Sequence, residues 1–154
     1  MTQKSLVDAA SATSEVRVES GNGLGSTNTV IRRYSTVVRN VGTAITYADS
    51  ATLGASFTIN EAGVYSISFV ELPTATPYLG MSQNSNQLTT GVNSITNTHR
   101  IALIFSPSGN IPQGASVTIR AAIGDVLRVH HGAGATVGNG DALVYCHVTQ
   151  IIKF

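Results

Sequence analysis

Apolar and polar positions alternate with a period of two along most of this 154-residue chain, in short runs divided by clusters of Gly, Asn and Pro. Side chains on a strand point to opposite faces in turn, so the pattern predicts a series of strands packed as a β-sandwich or jelly roll. No long segment carries helical spacing. The predicted strands are residues 15–19, 30–40, 56–60, 63–72, 78–83, 87–90, 100–105, 117–122, 125–131 and 142–154. In the fourth of these, Tyr65, Ile67 and Phe69 share one face while Val64, Ser66, Ser68 and Val70 share the other. Glu61-Ala62 with Gly63 makes a tight connection before it, Pro73 and Pro77 bracket a crossing loop after it, and Asn139-Gly140 is a turn before the last run. Residues 1–14 are small and polar, with Leu6 and Val7 as the one apolar pair, and read as an arm preceding an all-β domain over 15–154.

Two runs are apolar on both faces. In 100–105, Ile101, Leu103 and Phe105 lie on one side and Ala102 and Ile104 on the other. In the last run Val144, Cys146, Val148, Ile152 and Phe154 alternate with Leu143, Tyr145 and Ile151. A two-layer sandwich buries one face of each strand, so these runs predict a second burial surface, supplied most simply by further copies of the chain. The polar stretch 82–98 reads as an exposed excursion able to carry a recognition surface.

Composition sharpens this picture. Only 11% of residues are charged, with a formal net charge of +1, so the exterior is made of Ser, Thr, Asn, Gln and Gly, as suits a chain that works inside an assembly. Arg17, Arg32, Arg33, Arg39, Arg100, Arg120 and Arg128 are scattered rather than gathered, which argues against nucleic acid as a partner. No stretch approaches the roughly 20 apolar residues of a membrane span, and the first residues lack a signal-peptide core, so synthesis in a cytoplasm is expected. The single cysteine, Cys146, sits in an apolar run and reads as a buried small hydrophobe.

The search for chemistry predicts no catalytic residue, no metal and no cofactor. Among the few acids, Glu61, Asp125 and Asp141 fall at turns. Of the four histidines, His99, His130, His131 and His147, the adjacent His130 and His131 diverge on a strand and do not chelate one ion; the alternative is a trimer axis that gathers one histidine from each subunit. The Gly21-Asn22-Gly23-Leu24-Gly25 segment has the wrong intervals for a dinucleotide loop and reads as a plain loop. For a host glycan, Tyr47 and Tyr78 near loops are the candidate stacking platforms.

Three segments carry a family resemblance: Phe57-Thr58-Ile59 followed by Gly63-Val64-Tyr65-Ser66-Ile67-Ser68-Phe69, the step Ala122-Ile123-Gly124-Asp125-Val126-Leu127, and the closing run from Leu143 to Phe154. Together they cover about a third of the chain and resemble the trimeric jelly rolls of the tumour-necrosis-factor and complement-head superfamily. The resemblance implies a homotrimer with Tyr65, Phe69, Leu143, Tyr145 and Ile151 at the subunit interface. Secreted members carry a signal or anchor that is not seen here, which turns the expectation towards bacteriophage proteins of similar fold. The implied role is a capsid decoration (cement) protein on the outer virion surface, made in the host cytoplasm, with the major capsid protein as partner. Its arm would anchor through Lys4, Leu6 and Val7. The alternative is the receptor- or glycan-binding head of a fibre.

Overall fold

A computed structural model describes residues 13–73, 78–107, 111–132 and 146–154, which form two five-stranded antiparallel sheets packed face to face. In chain order the strands are β1 (Glu15–Leu24), β2 (Arg32–Val41), β3 (Ile45–Ser50), β4 (Gly54–Ile59), β5 (Gly63–Glu71), β6 (Tyr78–Gln83), β7 (Arg100–Phe105), β8 (Gln113–Ala121), β9 (Val126–His131) and β10 (Val148–Lys153). The first sheet runs β2-β1-β10-β5-β8 and the second β3-β4-β9-β6-β7. Only β1 with β2, β3 with β4 and β6 with β7 are neighbours in both sequence and sheet. Every other connection crosses between the sheets, which is the winding of a jelly roll. The expected all-β class is therefore what the chain forms.

The period-two alternation explains the layering. Val16 and Val18 of β1, Tyr65, Ile67 and Phe69 of β5 and Ile151 of β10 turn inward from the first sheet. They share one buried cluster with Phe57 and Ile59 of β4, Leu79 and Met81 of β6 and Leu127 and Val129 of β9. Each such side chain contributes roughly 1.5–3 kcal/mol by leaving water. At Gly54 (φ +89°) a Cβ would lie 2.5 Å from the Ile31 Cβ, so glycine alone lets β4 start against that side chain.

Three local expectations are corrected. β3 was not foreseen: its sequence, Ile-Thr-Tyr-Ala-Asp-Ser, has one buried residue, Ile45, and it is an edge strand recognisable through its pairing with β4. The glycine-rich segment after Glu19 is not a plain loop, because β1 continues to Leu24 with an irregular register against β2 and with Ser20 and Gly23 at positive φ. Residues 87–90 are not a strand. They belong to an excursion that folds back on the outer face of the second sheet, with Val92 and Ile95 buried. Gly80 of β6 makes this fit possible, since a Cβ there would lie 2.9 Å from Val92 Cγ2. Arg100 then pins the excursion by donating to the carbonyls of Val92, Asn93 and Ile95 at 2.8, 3.0 and 3.0 Å. At the other end of the chain, Ser14 is already part of the fold: it is buried, and its hydroxyl accepts the Ala44 N–H at 3.2 Å.

Candidate functional site

At one end of the sandwich the buried faces of four strands stop being apolar. Glu71 continues the inward series Tyr65, Ile67, Phe69 on β5; His131 continues Leu127 and Val129 on β9; Arg32 and Tyr34 are the inward residues that open β2; and Thr149 is buried on β10. With His147, just before β10, they form a polar cluster sealed inside the molecule. Arg32, Glu71 and His131 have no exposed surface.

Glu71 is its centre. The Arg32 Nε lies 2.9 Å from Glu71 Oε2, and Arg32 also donates to the Gly23 carbonyl at 3.3 Å. The Tyr34 hydroxyl donates to Glu71 Oε1 at 2.9 Å. Having spent its one proton there, it accepts from the Thr149 hydroxyl at 2.6 Å. His147 Nδ1 lies 3.0 Å from Arg32 Nη2 and 3.2 Å from Glu71 Oε2. These two contacts exclude each other: bare, Nδ1 accepts from Arg32; protonated, it donates to Glu71. His131 Nε2 is 3.8 Å from Glu71 Oε2, and neither ring nitrogen of His131 has a hydrogen-bond partner.

Burial pushes the Glu71 carboxyl up, but the His147 contact and the Arg32 charge, with His131 and His147 adding to them once protonated in acid, outweigh it and hold the group below its usual range. Burial also lowers His131 to about 4, against the pull of Glu71 and with help from Arg32, His130 and His147. Tyr34 is driven well up, first by burial and then by the neighbouring carboxylate. At neutral pH the cluster therefore holds an Arg–Glu ion pair beside a neutral His131. A sealed pair of this kind can join strands, but no solute can reach it. Among the described residues, no three His, Cys, Asp or Glu side chains are grouped to hold a metal ion.

The sequence-predicted residues lie elsewhere. Tyr65, Phe69 and Ile151, expected between subunits, are buried within a single chain and have no surface left to offer a neighbour. Leu143, Tyr145 and Asp141, and the arm residues Lys4, Leu6 and Val7, lie outside the described residues. His130 and His131 diverge: His130 faces the excursion, 3.0 Å from the Ser82 hydroxyl and 2.8 Å from the Thr90 carbonyl. Tyr47 lies on β3, packed at 5.1 Å against Phe57. Tyr78 is 39% exposed on β6 with its ring 5.2 Å from that of Phe105. Cys146 is buried.

Among the described residues, exposed apolar side chains include Val37, Val38 and Val41 on β2, and two further surfaces are apolar in part. On the edge strand β7, Leu103 and Phe105 are 40% and 54% exposed beside Tyr78, while Ala102 and Ile104 pack inward. The outward face of the first sheet carries Val64, Ser66, Ser68 and Val70 of β5 next to Val148, Gln150 and Ile152 of β10. These side chains are half-buried, and the strip is bordered by Glu15, Arg17 and Glu19 of β1 and by Arg120 of β8.

No protein-family model matches the chain, and no curated protein sequence matches it. Solved structures do match in fold. Murine APRIL at pH 8.5 superposes with a TM-score of 0.61 at 14% identity, covering 92% of this chain and 99% of that one. Eiger TNF from S. frugiperda gives 0.55 at 12% identity, over 93% of each chain. Bushbaby GITRL gives 0.53 at 12% identity, over 92% and 94%. At such identities the likeness is one of fold: the chain is a TNF-like jelly-roll sandwich.

Proposed function

We propose that the protein is a non-enzymatic virion component, a homotrimeric decoration protein that binds the major capsid protein on the outer surface of a phage shell and stabilises it. The observation that carries this reading is the exposed apolar ridge of Leu103, Phe105 and Tyr78 at one sheet edge, on a molecule whose surface is otherwise poor in charge. In the middle of the outward face of the first sheet, Val64, Ser66, Ser68 and Val70 of β5 lie beside Val148 and Ile152 of β10, a strip of small and apolar groups that suits a ridge of that kind. Ridge and face are different patches, and a contact between unlike patches closes into a ring when the rotation between copies is right. The resemblance to trimeric jelly rolls supports three copies. The sealing of Arg32, Glu71 and His131 away from solvent supports a structural role for the charged cluster rather than a catalytic one.

Stabilisation of a shell would follow by mass action, since a protein that binds the assembled lattice and not its loose subunits adds to the lattice's stability. Lys4, Leu6 and Val7 are the proposed anchors. Purified protein added to shells lacking it should bind and raise their melting temperature, and Leu6→Ser with Val7→Ser should weaken binding. Absence of binding by the wild type would overturn the role, and unchanged binding by the double variant would overturn the placement of the anchor.

The pinned excursion favours a second reading, a receptor- or glycan-binding head. It holds Asn84, Asn86, Asn93, Ser94, Thr96 and Asn97 exposed on a braced backbone, with Gln87 accepting from the Thr96 N–H and hydroxyl at 2.8 and 2.9 Å. Such a head would adhere to host cells as a free assembly, which a decoration protein would not do.

A further inference from the structure

The cluster around Glu71 joins the two sheets at one end only. Arg32 and Tyr34 come from β2, Glu71 from β5 and His147 from the turn before β10, all belonging to the first sheet. The second sheet contributes His131, from the end of β9. Across β9, its partner on β6 is Leu79, which brings no charge, and the adjacent His130 faces the opposite way, against Ser82 and Thr90. Among the described residues, His131 is therefore the titratable side chain by which the second sheet meets the charged groups of the first.

Its position is poor for a proton. The carboxylate oxygen that faces it, Glu71 Oε2, already has Arg32 at 2.9 Å and His147 at 3.2 Å, and stands 3.8 Å from His131 Nε2. A charged His131 would add a cation beside Arg32 in a site where Glu71 has no exposed surface, and the desolvation of an ion there costs several kcal/mol. The neutral ring is not well held either, because both of its nitrogens are buried without a partner. Moving the ring into water restores its hydrogen bonds and gives a proton free access.

We propose that this joint is an acid-operated release: protonation of His131 parts the end of β9 from the first sheet while the rest of the sandwich remains folded. Among the described residues, the opposite end has no comparable group. There Lys153 pairs with Glu61 at 2.5 Å, the Tyr65 hydroxyl donates to the Glu61 carbonyl at 2.5 Å, and the Lys153 N–H reaches the Ser14 carbonyl at 2.9 Å. Acid should therefore loosen one end before the other.

Backbone hydrogen exchange, corrected for intrinsic rates, tests this on the full chain. The reporters at the joint are the amides of His131, bonded to the Val30 carbonyl at 2.8 Å, and Ser20, bonded to the His147 carbonyl at 3.0 Å. The distant reporters are Ile59, bonded to the Asp125 carbonyl at 2.8 Å, and Lys153. Between about pH 6.5 and 4.5 the opening constant at the joint should rise up to roughly tenfold per pH unit, with the distant amides steady. His131→Gln should flatten that response and His130→Gln should keep it. An equal rise at both ends, or the same response in His131→Gln, would overturn the proposal. If His131→Gln does not fold, proton NMR of the wild-type histidines decides instead. A His131 ring that titrates far below the free imidazole, together with exchange rising at the joint, supports the release; a ring that titrates as in a free peptide overturns it.

Discussion

Arg32 and Glu71 form an ion pair at 2.9 Å with neither side chain exposed, although two strands, β1 and β10, lie between their own strands in the sheet. Breaking a buried pair by removing one partner leaves an uncompensated charge and costs about 3–5 kcal/mol. Arg32→Met should thus lower unfolding stability by that order in a denaturant titration. Adding Glu71→Leu should recover part of the loss, because the stranded carboxylate is then gone. A double variant less stable than the sum of the two single variants would contradict this account of the pair.

Stability should fall in acid. His131 has a folded-state value of about 4 against roughly 6.5 in the unfolded chain. Its contribution is intact above about pH 6.5 and is lost as the pH drops towards 4, by up to about 3 kcal/mol for this group. His130 is also lowered by burial and acts with the same sign. Glu71, held below its ordinary range, adds a further loss as the pH falls through its folded value. Melting temperatures should hold between about pH 7.5 and 6.5 and decline from there to about 4.5, less steeply in His131→Gln. A melting temperature that rises on acidification would refute this reading.

Two glycines at nearly the same φ should differ in their cost of substitution. Gly54 and Gly124 lie at +89° and +90°, but a Cβ at Gly54 meets Ile31 at 2.5 Å whereas one at Gly124 meets nothing within 4 Å. Gly124→Ala should cost about 1 kcal/mol, from backbone strain alone. Gly54→Ala carries that strain plus displacement of a core side chain, and should cost at least about 2 kcal/mol more. Paired denaturant titrations check the order.

The turn before β9 is held by Asp125, which accepts from Gln83 Nε2 at 2.6 Å, Asn84 Nδ2 at 2.7 Å and the Ala122 N–H at 2.8 Å. Burial pushes its carboxyl up, but these three donors outweigh that and hold it below its usual range. Asp125→Ala should destabilise the fold by about 1–3 kcal/mol, and Asp125→Asn by less, since the amide oxygen still accepts. Equal losses in the two variants would show that charge rather than acceptor geometry holds the turn.

Much of the fold was legible because burial alternates with strand parity. Tyr65, Ile67 and Phe69 were placed on one face of one strand, and that face is the core. Parity also separated Ile101, Leu103 and Phe105 from Ala102 and Ile104; the structure leaves Leu103 and Phe105 outside but packs Ile101 against the core with Ala102 and Ile104. Parity alone could not assign Tyr65, Phe69 and Ile151 to contacts between copies, because the same pattern marks an inward face within one chain. β3 escaped notice because an edge strand with one buried residue has almost no alternation to read. The Glu71 cluster was missed because its members are far apart in sequence and each looks ordinary in isolation. The signal was nonetheless present: Glu71 follows the apolar parity 65, 67, 69, and His131 follows 127, 129, so each is a charge-bearing residue on a face that the strand buries.

The central claim is the assembly, and light scattering of the purified chain over a range of concentrations tests it most directly. The account predicts a stable particle of three times the 16.0 kDa chain mass, broken down by Leu103→Ser with Phe105→Ser. A particle of 16.0 kDa at every concentration would contradict it.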